Sequence, residues 1–266
     1  MPTEIFRESL RTYRRAAVGW MIGLAAFLTL NVATYPAVKG QTEYDKLFQD
    51  MPDAVLAAFG IDRSLSVTSP PGYLVSQVFG FILPLLFVVL AVALASRSIA
   101  GEEEQGTLDL LLAQPVSRRR VVTERFLAVA TVVVGLGVGS WVILAGVSPL
   151  FDLRAALGSL AIATLASTLF GLQVGATAFA VGAAVGRRGA SIATASTVAL
   201  LAFLIESLAQ LTDVFERVRF LSPWYYANGN IPMVHGLRAL DLAVLVGVTL
   251  AAAAVAIVAF ERRDLT

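Results

Sequence analysis

The sequence predicts an all-α protein that crosses a membrane six times, and three observations carry that prediction. Hydrophobic residues make up 57% of the 266-residue chain and charged residues only 15%, where an ordinary soluble domain has about 25% charged residues. The mean hydropathy is +0.77. The apolar residues are also gathered into long runs, and a helix needs roughly 20 of them to cross the hydrocarbon. Together these place residues 1–266 in one polytopic helical membrane domain.

Six runs qualify, at about 16–38, 73–99, 121–147, 155–185, 191–211 and 240–260. The second carries Pro84, which predicts a kink, and the fourth is long enough to tilt or bend. The first is too long for a cleavable leader and follows four Arg. Before it, Phe6–Arg15 is amphipathic and basic. The net charge of +1 gives no sign of a nucleic-acid partner, and the absence of cysteine excludes disulfides and thiol chemistry.

Six spans put both termini on one face. That face holds 13 of the 20 Lys and Arg, including Arg118, Arg119 and Arg120, and the other face holds 7. The positive-inside rule assigns the richer face to the cytoplasm. Outside, MPDAVLAAFG predicts a short helix with Asp53 in its first turn and Gly60 at its end. The aromatic run Trp224, Tyr225 and Tyr226 suits the membrane–water interface, in a segment able to dip back toward the bilayer.

The most informative stretch is GEEEQGTLDLLLAQPVSRRRVV, Gly101 to Val122, between the second and third runs. The second helix is expected to run on to about Glu104 and to break at Gly106. Thr107 is placed to cap a short helix that Pro115 ends, and Ser117 to cap the helix of the third run. The short helix would expose Leu108, Leu111 and Leu112 together. Three Arg in a first turn oppose the helix dipole, and suit lipid phosphates or acids on a partner. The pattern fits equally a helix resting in the lipid interface and an apolar knob offered to a soluble protein.

The run PLLFVVLAVALASRSIAGEEEQGTLDLLLAQPVSRRRVV resembles the permease subunits of the type-2 ABC exporter family, as do MPDAVLAAFG, GYLVSQ and LSPWYYANG more loosely. The resemblance implies a six-span permease paired with a second permease, identical or related. It also implies a separate ABC ATPase subunit that docks on a coupling helix between spans two and three. That role falls on Glu102, Gly106, Thr107, Leu108, Leu111, Leu112 and Pro115, and Phe6–Arg15 matches the family's interfacial elbow helix. No cofactor is expected in this chain. ATP and Mg would be bound by the partner ATPase, because the only lysines, Lys39 and Lys46, lie outside any phosphate-loop pattern.

Glu206 is the one acid more than a turn from either end of its run, about 22 Å along its helix from Ser191, where water or Arg217 would reach it. An intramembrane carboxylate is by default a functional candidate, so Glu206 is a possible pathway residue. His235 lacks the neighbours of a metal or nucleophile site. Gly19/Gly23, Gly135/Gly139, Gly171/Gly175 and Gly182/Gly186 are small-residue pairs that suit close helix packing.

The expectation is thus the membrane subunit of an ATP-driven exporter in the cell membrane, working by alternating access. Its substrate would be a small molecule, lipid or peptide. Two other readings stay open: a proton-coupled carrier using Glu206, and a membrane scaffold that recruits a cytosolic partner.

Overall fold

The structure, a computed structural model, describes residues 4–52, 55–56, 65–108, 116–209 and 211–263. Among them six helices are long and apolar enough to cross a membrane: Glu4–Val38, Pro70–Glu104, Arg118–Phe151, Leu157–Val185, Arg188–Ala209 and Ala239–Arg262. They are spans 1 to 6, and each matches its predicted run, with span 4 starting and span 5 ending two residues inside it. Phe6–Arg15 is not set apart as an elbow by any break. It forms the first turns of one continuous 35-residue helix, about 52 Å long and so well beyond the roughly 30 Å hydrocarbon.

Span 4 is the hub, packed by spans 2, 3, 5 and 6, while span 1 lies mainly along span 3. The cause is the small side chains of span 4. A Cβ added at Gly171 would fall 2.7 Å from the backbone carbon of Phe87, and one at Gly175 would fall 2.7 Å from Ala91 Cβ. The Gly171/Gly175 pair therefore packs spans 4 and 2 within the subunit, by the close approach that small residues allow. By contrast, Gly19 and Gly23 have open space beside them.

Span 2 is the irregular one. Its helix breaks at Gly80–Phe81, where Phe81 has φ −146° and ψ −52°, and resumes at Ile82. The expected kink thus sits just before Pro84, which has no N–H for the carbonyl of Gly80 and crowds it with its ring. The exposed carbonyls are met from elsewhere in the chain. Asn228 Nδ2 donates to Phe79 O at 3.1 Å and to Gly80 O at 3.3 Å. A π-helical turn at Arg97–Gly101 then leads to Glu102–Glu104.

Asn228 ends a short helix, Pro223–Asn228, that folds back onto spans 4 and 5. The segment dips back as expected, but Trp224 does not sit at the lipid interface. It is buried, with its ring 5.0 Å from Phe170 and 5.1 Å from Phe203. Shape explains the difference, since a groove lined by Phe rings takes in a whole indole. Of the expected MPDAVLAAFG helix, Val55 and Leu56 are helical, while Asp53 and Gly60 lie outside the described residues. His235 ends the short helix Pro232–His235 and is exposed.

Candidate functional site

The three consecutive acids after Gly101 do not form a common negative patch. Successive helical residues point about 100° apart, and each carboxylate meets a different span. Glu102 pairs with Arg125 of span 3, whose guanidinium also donates to the Ser98 carbonyl in the π-helical turn. Glu103 takes both terminal nitrogens of Arg263, just past span 6, one of them at 2.9 Å. Glu104 accepts the backbone N–H of Arg188 at 2.9 Å, at the start of span 5.

Burial makes the first of these contacts costly to break. The Arg125 side chain is 6% exposed and that of Glu102 35% exposed, so Arg125 depends on the carboxylate while Glu102 keeps contact with water. Gly186 makes room for the second. It ends span 4 at φ +70°, and a Cβ there would lie 2.1 Å from Arg263 Nη2 and 2.5 Å from both Glu103 oxygens. Glycine is required for the conformation and for the space. Arg118 adds a bond from its guanidinium to the Arg263 carbonyl. Glu124 accepts the Phe6 N–H at 2.9 Å and pairs with Arg120 at 2.7 Å.

The end of span 2 is thereby tied to the adjoining ends of spans 3, 5 and 6, with span 1 held to span 3. The first and last described residues, Glu4 and Arg263, lie at this same end. The Arg triplet is also drawn partly inward, because Arg118 and Arg120 bind within the chain and Arg119 is exposed.

Of the predicted coupling residues, Glu102, Gly106, Thr107 and Leu108 lie within the described structure, and Leu111, Leu112 and Pro115 lie outside it. Gly106 ends the helix at φ +69°, as expected. Thr107 does not act as a cap there: it is itself helical, and its hydroxyl donates to the Glu102 carbonyl at 3.1 Å. Ser117 does cap span 3, accepting from the Arg120 N–H at 3.4 Å. Leu108 departs from the expectation of an exposed knob, being fully buried in the protein's own core. It anchors the start of the segment, so of the three leucines expected to form the knob it is not available to a partner.

At the opposite end, Glu206 is 5% exposed and its partner is Arg219 rather than Arg217. Arg219 grips both carboxylate oxygens, at 2.6 and 3.2 Å, and lies 4.5 Å from the centre of the Tyr225 ring. Arg238 binds Asp241 in the same two-pronged way, at 2.9 and 3.2 Å. Its hydrogen bonds to Asp241 and then Tyr225 raise the guanidinium above its ordinary pKa. Lys39 at the end of span 1 pairs with Asp152 in the turn after span 3. Glu206 is thus a satisfied member of the network that fixes the returning segment.

The fan of contacts made by Glu102, Glu103 and Glu104 was missed from the sequence. Its signal was present, since three adjacent acids on a helix face three ways and basic residues stand at the starts or ends of spans 3, 5 and 6. A family model described as ABC-2 family transporter protein matches residues 4–265. No curated protein matches the chain.

Proposed function

This chain belongs to the ABC-2 transporter family, and we propose that it is the permease subunit of an ATP-driven exporter in the cell membrane. In this reading a separate subunit binds and hydrolyses ATP, and docks on the segment that follows Glu104. Two permeases stand side by side, both termini lie in the cytoplasm, and a path through the membrane opens alternately to either side. Leu111 and Leu112 supply the apolar contact. Glu102, Gly106, Thr107, Leu108 and Pro115 hold the segment in place.

The observation that carries this reading is the fan of contacts from Glu102, Glu103 and Glu104 to the ends of spans 3, 5 and 6. A push on the docking segment reaches three other spans through polar contacts rather than through one flexible turn. A proton-coupled carrier built on Glu206 has less support, because Arg219 already holds both oxygens of that carboxylate.

The test uses the complex with its ATP-binding subunit, reconstituted in lipid nanodiscs. Because the chain has no cysteine, one introduced at Arg187 carries a single environment-sensitive fluorophore at the tip between spans 4 and 5. ATP is expected to change its emission, and Leu111→Asp to abolish that response. Emission that ignores ATP while hydrolysis proceeds would refute the coupling.

A further inference from the structure

Spans 2 and 5 do not close against each other along their whole length. Between them lies a pocket of about 410 Å³ with almost entirely apolar walls, among them Leu85, Val89, Ile192 and Leu200. Phe81, Phe203 and Trp224 line one end, with ring centres 5.0 to 6.2 Å apart. Arg188 lines the other. Arg188 and Phe203 are fifteen residues apart on one helix, or about 22 Å. Half the hydrocarbon thickness is roughly 15 Å, so the pocket is long enough to take a lipid tail. Its size and lining are those of a ligand site, mostly apolar with one charged group that fixes orientation.

Arg188 is the unusual part. Its backbone N–H is taken by Glu104, and its stem passes Gly101, where an added Cβ would lie 3.8 Å from Arg188 Cδ. Its Nε is buried without a hydrogen-bond partner. Arg125 and Arg263 at the same end are each paired with a carboxylate, and among the described residues Arg188 has none. A buried donor on a cation is costly to leave unpaired, and the same side chain lines the pocket.

We propose that this pocket binds an acidic lipid, with its carboxylate or phosphate head on Arg188 and its tail running between spans 2 and 5 toward Trp224. The proposal deepens the export reading and rests on it for calling that lipid the cargo. In the orientation given above, Arg188 lies at the cytoplasmic leaflet, where an exported lipid would be loaded. Binding itself needs no ATPase, so binding and coupling fail separately.

The test is tail-directed quenching of Trp224 in the full chain, purified in neutral detergent. The chain has three tryptophans, and Trp20→Phe with Trp141→Phe leaves Trp224 as the only emitter. The probes are stearate brominated at mid-chain and its methyl ester, which share a tail and differ in head charge. The acid is expected to quench about tenfold more tightly than the ester, the strength of one charged hydrogen-bonded contact. Arg188→Gln should remove that preference and leave ester quenching unchanged, while Arg188→Lys should keep most of it. If Arg188→Gln does not fold, Ala199→Trp with Trp224→Phe serves instead: filling the pocket should displace both probes, read by competition with a fluorescent fatty acid. Inorganic phosphate should not compete, which separates a lipid head from a free anion. Equal quenching by acid and ester, a preference that survives Arg188→Gln, or no quenching by either probe would each overturn the proposal. The last result would mean that the groove is closed by a second copy of the chain.

Discussion

Glu102→Ala removes the counter-ion of a guanidinium that is 6% exposed. Breaking a buried pair from one side costs about 3–5 kcal/mol, because a charge is left uncompensated. Glu102 itself is 35% exposed, so solvent screens the pair and lowers the cost to about 2–3 kcal/mol. Arg125→Met is different in kind. It frees a carboxylate that water can reach, but orphans the Ser98 carbonyl that Arg125 serves, at about 1–3 kcal/mol. The double variant pays only that second cost, so the two substitutions should couple by about 2–3 kcal/mol. The assay is the temperature at which half the monodisperse protein is lost in detergent. At about 2–4 °C per kcal/mol for a chain of this size, the double variant should melt ~4–12 °C above the sum of the single effects. The exposed pair Glu8–Arg11, with side chains 72% and 79% exposed, is the control and should show no measurable coupling. Simple additivity at Glu102 and Arg125 would refute the claim that this pair holds span 2 to span 3.

Other expectations follow from the same geometry. Glu206→Gln strands Arg219 and should lower stability by about 2–3 kcal/mol, with transport falling only in step with folded protein; transport abolished at normal folded yield would restore a role in the pathway. Single cysteines at Ser117, Arg187 and Thr266 should react with a membrane-impermeant maleimide only from the cytoplasm, and those at Asp50 and Arg154 only from outside; the reverse pattern would invert the orientation. At Asp45, burial pushes the carboxyl up, and hydrogen bonds from Ser66 and Thr68 outweigh it and hold the pKa below its ordinary 3.8. A depressed carboxyl stabilises above its unfolded pKa and loses that contribution as pH falls through its folded value. Hydrogen-exchange protection of residues 66–69 should therefore be flat from neutral pH to about 5 and fall below 3.8, and Asp45→Asn should remove the dependence.

The spans were legible because crossing hydrocarbon imposes a length and a composition that leave few alternatives, and the helix stop at Gly106 and the Ser117 cap followed from backbone rules alone. Partner choice was not legible. Nothing in the order of residues says that Glu103 meets Arg263, 160 positions away, or that Glu206 takes Arg219 over Arg217. Leu108 and Trp224 were placed by residue type, as a docking knob and an interfacial anchor, yet packing buried both. Apolar character predicts removal from water, but the fold decides whether lipid, a partner or the chain's own core provides the cover.

The central claim is that a separate ATP-binding subunit engages the segment after Glu104. The most direct measurement is recovery of that subunit, recognised by its phosphate-loop motif, with a tagged permease from its own membranes. Leu111→Asp is compared with Leu150→Asp, a control exposed at the opposite end of span 3. Burying a Leu contributes roughly 1.5–3 kcal/mol, so Leu111→Asp should cut recovery about tenfold or more at equal expression, while Leu150→Asp leaves it unchanged. Equal recovery from both variants would show that the subunit docks elsewhere and contradict the account.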